Sequence, residues 1–195
     1  MPETWLARGC IGWRAENALV SASLRYSESM PAGTALSVEQ YLATSFPDLD
    51  REYWDGELVE RSLPDYSHAK TQGLLVSSFV ALRKKLPVFA CPELRLKIRP
   101  KLVLIPDVSV FYPDEPKERF PDRPPFIAIE VLSLDDTLKD VREKLEIYRN
   151  WGVPHVWLVD PHSRRMYTCD AGLMEVPTLQ VHELGLTLTP AEVFG

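Results

Sequence analysis

Two carboxylates interrupt apolar runs of strand length. Asp107 lies within "KLVLIPDVSVFY", Lys101 to Tyr112, and Glu130 within "FIAIEVLS", Phe126 to Ser133. A lone carboxylate in an apolar strand costs several kcal/mol unless a partner compensates it. If the two strands pair antiparallel around the 113–125 connector with Phe111 facing Phe126, Asp107 falls directly opposite Glu130, with Cβ atoms about 5 Å apart. A slip of one residue, with Tyr112 facing Phe126, would send the acids to opposite faces. The first register is the one expected here. Two anionic carboxylates at that distance need a shared proton, a cation or a metal between them. Mg²⁺ (or Mn²⁺) suits the pair, because it takes oxygen ligands, keeps several waters and commonly binds through one or two carboxylates plus substrate phosphates.

A cation belongs beside them. Lys144 is three residues after Val141 and four before Tyr148, so it flanks the buried stripe of its helix and can bury its stem while extending its ammonium toward the acids. Glu57 and His68 are further candidates for the same pocket, as an extra ligand or a proton carrier. Arg95, Lys97, Arg99 and Lys101 form a basic run in an otherwise acidic chain. A solvated strand face accounts for them, and so does a face that tracks phosphates, whose binding would fall steeply with salt.

These residues need elements to hold them. "SVEQYLATSF" predicts a short helix capped by Ser37. Asp55-Gly56 between alternating runs predicts a hairpin. In "DYSHAKTQGLLVSSFVALRKKL" the spacing of Leu75, Phe79, Leu82 and Leu86 predicts a helix stopped by Pro87. "ELRLKIR" alternates as a strand with one wet, basic face. The two acid-bearing strands follow, joined by the loop "PDEPKERFPDRPP". "DDTLKDVREKLEIYRNWG" predicts a helix capped by Asp135 or Asp136, with Leu138, Val141, Leu145 and Tyr148 buried and Gly152 past its end. "HVWLVDP" and "RRMYTCD" are strands, and Thr189 caps a last short helix. The order is helix, hairpin, helix, three strands, helix, strand, strand. It predicts an α+β or mixed α/β fold with a central sheet flanked by helices. Residues 1–33 follow no single period and are expected to be a weakly structured N-terminal extension. Residues 34–195 are expected to form one domain.

Composition narrows the chemistry. The 195 residues, 45% hydrophobic, can bury a sizeable core. The net charge of −6 argues against non-specific polyanion binding by the whole surface. Three cysteines, Cys10, Cys91 and Cys169, without a C-x-x-C pattern, disfavour a disulfide framework or a zinc knuckle and fit a reducing cytosol. No apolar run approaches the roughly 20 residues that span a bilayer. A cytoplasmic location is expected.

Together these pieces resemble a known family. Pro106-Asp107 followed by Glu130-Val131-Leu132-Ser133 resembles the PD-(D/E)XK nuclease pattern. "DGELVE" at 55–60, His68 at a helix start, "PDVSVF" at 106–111, "EVLS" at 130–133, the Asp140–Lys144–Tyr148 column and "GVPHVWLVDP" at 152–161 are similar to the Uma2 family (DUF820) of restriction-endonuclease-like proteins. The likeness runs from about Leu36 to Asp170. It implies a restriction-endonuclease-like core and metal-dependent hydrolysis of DNA phosphodiester bonds, with Asp107 and Glu130 on the metal. The superfamily pattern has Lys at position 132, where this chain has Leu132; in Uma2-like sequences the lysine stands on the following helix, which points to Lys144. Two other functions fit the same residues. One is a nucleic-acid-binding module that no longer cuts; the other is a scaffold that self-associates. A nuclease that cuts both strands would be expected to pair as a homodimer.

Overall fold

The structure is a computed structural model and describes residues 36–46 and 50–195. The expected N-terminal extension, residues 1–33, lies outside the described residues. Helix α1 (Val38–Ala43) leads into the hairpin β1 (Arg51–Trp54) and β2 (Glu57–Glu60), and then helix α2 (Tyr66–Leu82). Strands β3 (Phe89–Pro92), β4 (Leu96–Arg99), β5 (Leu102–Leu104), β6 (Val108–Phe111) and β7 (Ile127–Val131) precede helix α3 (Leu138–Trp151). Strands β8 (His155–Asp160), β9 (Arg165–Thr168), β10 (Met174–Val176), β11 (Leu179–Val181) and β12 (Leu186–Leu188) follow, and α4 (Pro190–Phe194) closes the chain.

Local signals account for most boundaries. Ser37 and Gln40 form a reciprocal capping box at α1. Asp55 and Gly56 both take positive φ, 50° and 105°, as a tight turn matching the strand twist requires. Gly152 ends α3 in the left-handed conformation. At the other end of α3 the cap is Thr137, whose hydroxyl accepts from the Asp140 N–H, and not Asp135 or Asp136. Asp136 is engaged elsewhere, accepting from the Ser133 N–H and the Ser62 hydroxyl.

Two sheets organise the fold. One has six strands in the order β10-β9-β8-β7-β6-β3, and the other four, β2-β1-β5-β4. In the six-stranded sheet only β7 and β8 run parallel, and α3 makes the crossover that a parallel pair needs. Alternation sorts its residues. Val108, Val110, Ile127, Ile129, Trp157 and Val159 pack with Leu75 and Phe79 of α2. Ala128, Val156 and Leu158 pack with Val141, Leu145 and Tyr148 of α3, and with Leu102 and Leu104 of the smaller sheet. Leu138 lies outside this stripe, at 63% exposed.

"KLVLIPDVSVFY" is therefore not one strand. Its first half, β5, belongs to the four-stranded sheet and its second half, β6, to the six-stranded one. The break falls at Ile105-Pro106-Asp107. Proline has no N–H to give a ladder, and the Ile105 N–H goes instead to the Glu52 carboxylate, 3.1 Å away. Five strands rather than three separate α2 from α3, because this run divides and because short β3, ending in Pro92, carries no strand pattern of its own.

Candidate active site

The pairing of β6 with β7 sets Val108 opposite Ile129 and Val110 opposite Ile127. Extended by one residue at each end, that register places Phe111 opposite Phe126 and Asp107 opposite Glu130, the first of the two registers considered and the one expected. Glu130 shares the α3-facing side of β7 with Ala128. Both acids are buried, at 3% exposure for Asp107 and 8% for Glu130.

Each acid has its own set of partners. Asp107 Oδ1 accepts from Arg61 Nη2 at 2.8 Å and lies 3.3 Å from His68 Nε2, while Oδ2 accepts from the Val131 N–H at 2.7 Å. Burial opposes its charge, but His68, Arg61 and the Val131 N–H prevail and hold its pKa below the usual value. Glu130 Oε1 accepts the Tyr148 hydroxyl hydrogen at 2.6 Å. Burial pushes the Glu130 pKa up to about 8; Lys144 and the Tyr148 hydrogen bond pull it down, while Asp107 and Glu52 add to the rise. Glu130 thus keeps its proton at neutral pH, whereas Asp107 is a carboxylate.

Lys144 reaches inward from α3 but lands on a residue absent from the sequence-based candidates. Its Nζ lies 2.9 Å from Glu52 Oε1. Burial works against the ammonium, yet Glu130 and Glu52 outweigh it and raise the Lys144 pKa. Glu52 is itself 1% exposed and fully engaged, also accepting from the Ile105 N–H and from Trp54 Nε1. One signal could have found it. Glu52 alternates with Tyr53 and so shares a strand face with Trp54, which packs in the α3 cluster, making it a charge on an apolar face. Arg61, just past β2, was also missed. A single arginine after a strand carries no periodic signal, and its partner is 46 residues away.

Glu57 does not join the site. It is exposed at the start of β2; its pairing with Trp54 puts it on the same sheet face as Glu52, but at the turn end of the hairpin, outside the cleft lining. His68 does join it. Asp65 caps α2 by accepting from the His68 N–H; the ring then spans Asp107 on one side and Ser133 Oγ, 3.0 Å from Nδ1, on the other. Asp140 stays at the exposed rim, bonded to Thr137 Oγ1.

The basic run is largely matched by acids. The Arg95 side chain is 11% exposed; its Nε donates to Asp50 at 2.9 Å and its guanidinium sits over the Tyr41 ring. Lys97 lies 3.8 Å from Asp122 and Arg99 2.8 Å from Asp55. Lys101 is exposed. Three of the four cations are thus matched by carboxylates, and Arg95 is a packing residue. The alternation foretold a strand face but not the acids that loops bring to it.

A cleft of about 300 Å³, lined by Glu52, Arg61, Glu130 and Lys144 among others, opens above the acids. Adjoining it, a pocket of about 40 Å³ is bounded by Arg61, His68, Asp107, Glu130, Ser133 and Lys144. That is room for a small cation or a water. Among the described residues no three His, Cys, Asp or Glu side chains form a ready metal cage. Two carboxylates match what Mg²⁺ takes from proteins, and no donor among the described residues engages Glu130 Oε2. The donor set fits a hydrated divalent cation.

The model of the Uma2 family, described as "Putative restriction endonuclease", matches residues 38–195. The fold is similar to the crystal structure of a "putative nuclease belonging to DUF820" from Anabaena variabilis, with a TM-score of 0.70 and 22% identity over 82% of this chain and 97% of that one. No curated protein matches the chain. Among the described residues, no helix is long and apolar enough to cross a membrane.

Proposed function

The chain belongs to the Uma2 family, and on that premise we propose that it is a nuclease hydrolysing DNA phosphodiester bonds with a divalent metal, Mg²⁺ or Mn²⁺, at Asp107 and Glu130. The observation that carries the reading is the direct opposition of these two buried acids under a cleft that also receives Lys144.

Asp107 and Glu130 would hold the ion, and the ion would polarise the phosphate and lower the pKa of a bound water. The protein's own groups divide the remaining work. Lys144, its pKa raised, stays cationic at neutral pH, so its role is to neutralise charge developing on phosphate oxygens rather than to accept a proton. Tyr148 orients Glu130 through its hydroxyl. His68, held between Ser133 and Asp107, fixes the Asp107 carboxylate, and Glu52 anchors the Lys144 ammonium.

The test is nicking of supercoiled plasmid by purified protein with Mg²⁺ or Mn²⁺. Nicking should stop with EDTA and in Asp107→Ala; cutting that survives either control would belong to a contaminant or another site. A second reading, a DNA-binding module that does not cut, draws support from Asp107, both of whose oxygens already accept hydrogen bonds. It expects binding with no metal-dependent nicking.

A further inference from the structure

Among the described residues, Arg61 is the one strong cation in direct contact with the opposed acids. Its side chain is 11% exposed, its Nη2 lies 2.8 Å from Asp107 Oδ1 and its Nη1 3.9 Å from Glu93 Oε1. It lines both the small pocket and the larger cleft, so the same side chain faces the acids and the space a substrate would enter. Lys144 lines both spaces too, but its ammonium is paired with Glu52 rather than with the opposed acids.

A divalent cation sharing the Asp107 carboxylate would meet the guanidinium at short range. Water offers little screening this deep. The guanidinium and the ion would repel and compete for the same carboxylate, so metal binding weakens the Arg61 contact. The Val131 N–H on Asp107 Oδ2 belongs to a central strand and is fixed. The arginine side chain hangs from the segment after β2 and can turn.

It has somewhere to turn to. Glu93, half exposed, follows β3 with φ at 50°, a conformation a glutamate adopts only where the surroundings impose it. Gln72 of α2 bridges this place to the site, its Nε2 donating to the Asp107 backbone carbonyl at 2.9 Å and lying 3.5 Å from Glu93 Oε1. The guanidinium fork also suits two phosphate oxygens better than an ammonium does.

We propose that Arg61 is the exchangeable cation of this site, neutralising Asp107 when no metal is bound and turning toward Glu93 and the substrate phosphate when a divalent metal takes that carboxylate. The inference rests on the metal-dependent reading above. It makes Arg61 antagonistic to metal binding and supportive of cleavage, a combination that a merely structural arginine would not give.

The experiment measures Mn²⁺ affinity of the full chain by titration calorimetry, beside plasmid nicking at saturating Mn²⁺. Arg61→Gln should bind Mn²⁺ at least tenfold more tightly and nick at least tenfold more slowly. Glu93→Gln, an exposed change that leaves the core intact, should weaken Mn²⁺ binding several-fold in the native background and have no effect when Arg61→Gln is also present, because its influence passes through Arg61. Equal or weaker Mn²⁺ binding in a folded Arg61→Gln protein, or a Glu93→Gln effect undiminished in the double variant, overturns the proposal alone. If Arg61→Gln does not fold, the native-background Glu93→Gln result decides, and unchanged affinity there overturns it. No Mn²⁺ binding by the native protein would remove the metal-dependent reading and this inference together.

Discussion

Tyr148 donates its hydroxyl hydrogen to Glu130 across 2.6 Å inside the protein, and that acid, buried beside Asp107 and Glu52, titrates at about 8 rather than near 4.5. A carboxyl whose pKa is higher folded than unfolded favours the folded state below its unfolded value. That advantage is lost as pH rises through the folded one. Stability without metal should therefore fall between about pH 4.5 and 8, by up to roughly 1.4 kcal/mol per pH unit. Glu130→Gln, which cannot ionise, should flatten this slope. Denaturant melts from pH 5 to 8.5 without metal would show it; parallel slopes in the two proteins would contradict the titration.

Metal should act in the same place. Mn²⁺ at a hundred times its Kd would stabilise the folded chain by about 2.7 kcal/mol, and each kcal/mol moves the Tm of a protein this size by roughly 2–4 °C. The rise should vanish in Asp107→Ala. In the native protein it should also grow with pH, since the ion displaces the Glu130 proton. An unchanged Tm at millimolar Mn²⁺ would argue for a site that binds no metal.

Glu52 and Glu57 sit on one hairpin and should behave oppositely. Glu52→Ala strips Lys144 of its partner and leaves the Ile105 N–H unanswered. Breaking a buried pair in this way costs about 3–5 kcal/mol. Glu57→Ala, on the exposed strand, should stay within about 0.5 kcal/mol of the native protein and keep its activity. Urea melts and plasmid nicking would separate the two, and equal losses would mean the hairpin is misread.

Arg95 should matter to the fold and not to nucleic acid. Its guanidinium is tied to Asp50 and covers Tyr41, so Arg95→Ala should destabilise by about 1–3 kcal/mol. DNA affinity and its salt slope, measured below the melting transition, should be unchanged. A slope reduced by about one unit would instead mark Arg95 as a phosphate contact.

What could be seen in the sequence was local or periodic. The Ser37 cap, the Asp55-Gly56 turn and the glycine ending α3 follow from spacing, and the opposition of Asp107 to Glu130 is one of the two registers that spacing allowed. What could not be seen depends on partners far along the chain. Whether "LVL" and "VSVF" share a sheet is decided by β1 and β7, not by the run itself. Arg61 acquires meaning only from Asp107, and Arg95 only from Asp50. Thr137 prevails over two neighbouring aspartates as a cap because a loop near Ser62 claims Asp136.

The proline at 106 has one more effect. Glu52 comes from the smaller sheet, Glu130 from the larger, and Asp107 from the chain that crosses between them. The centre is thus a joint between two layers, and neither layer could carry it alone. Loosening the smaller layer would silence the chemistry while the larger one stayed folded, so loss of activity on warming should precede loss of the fold.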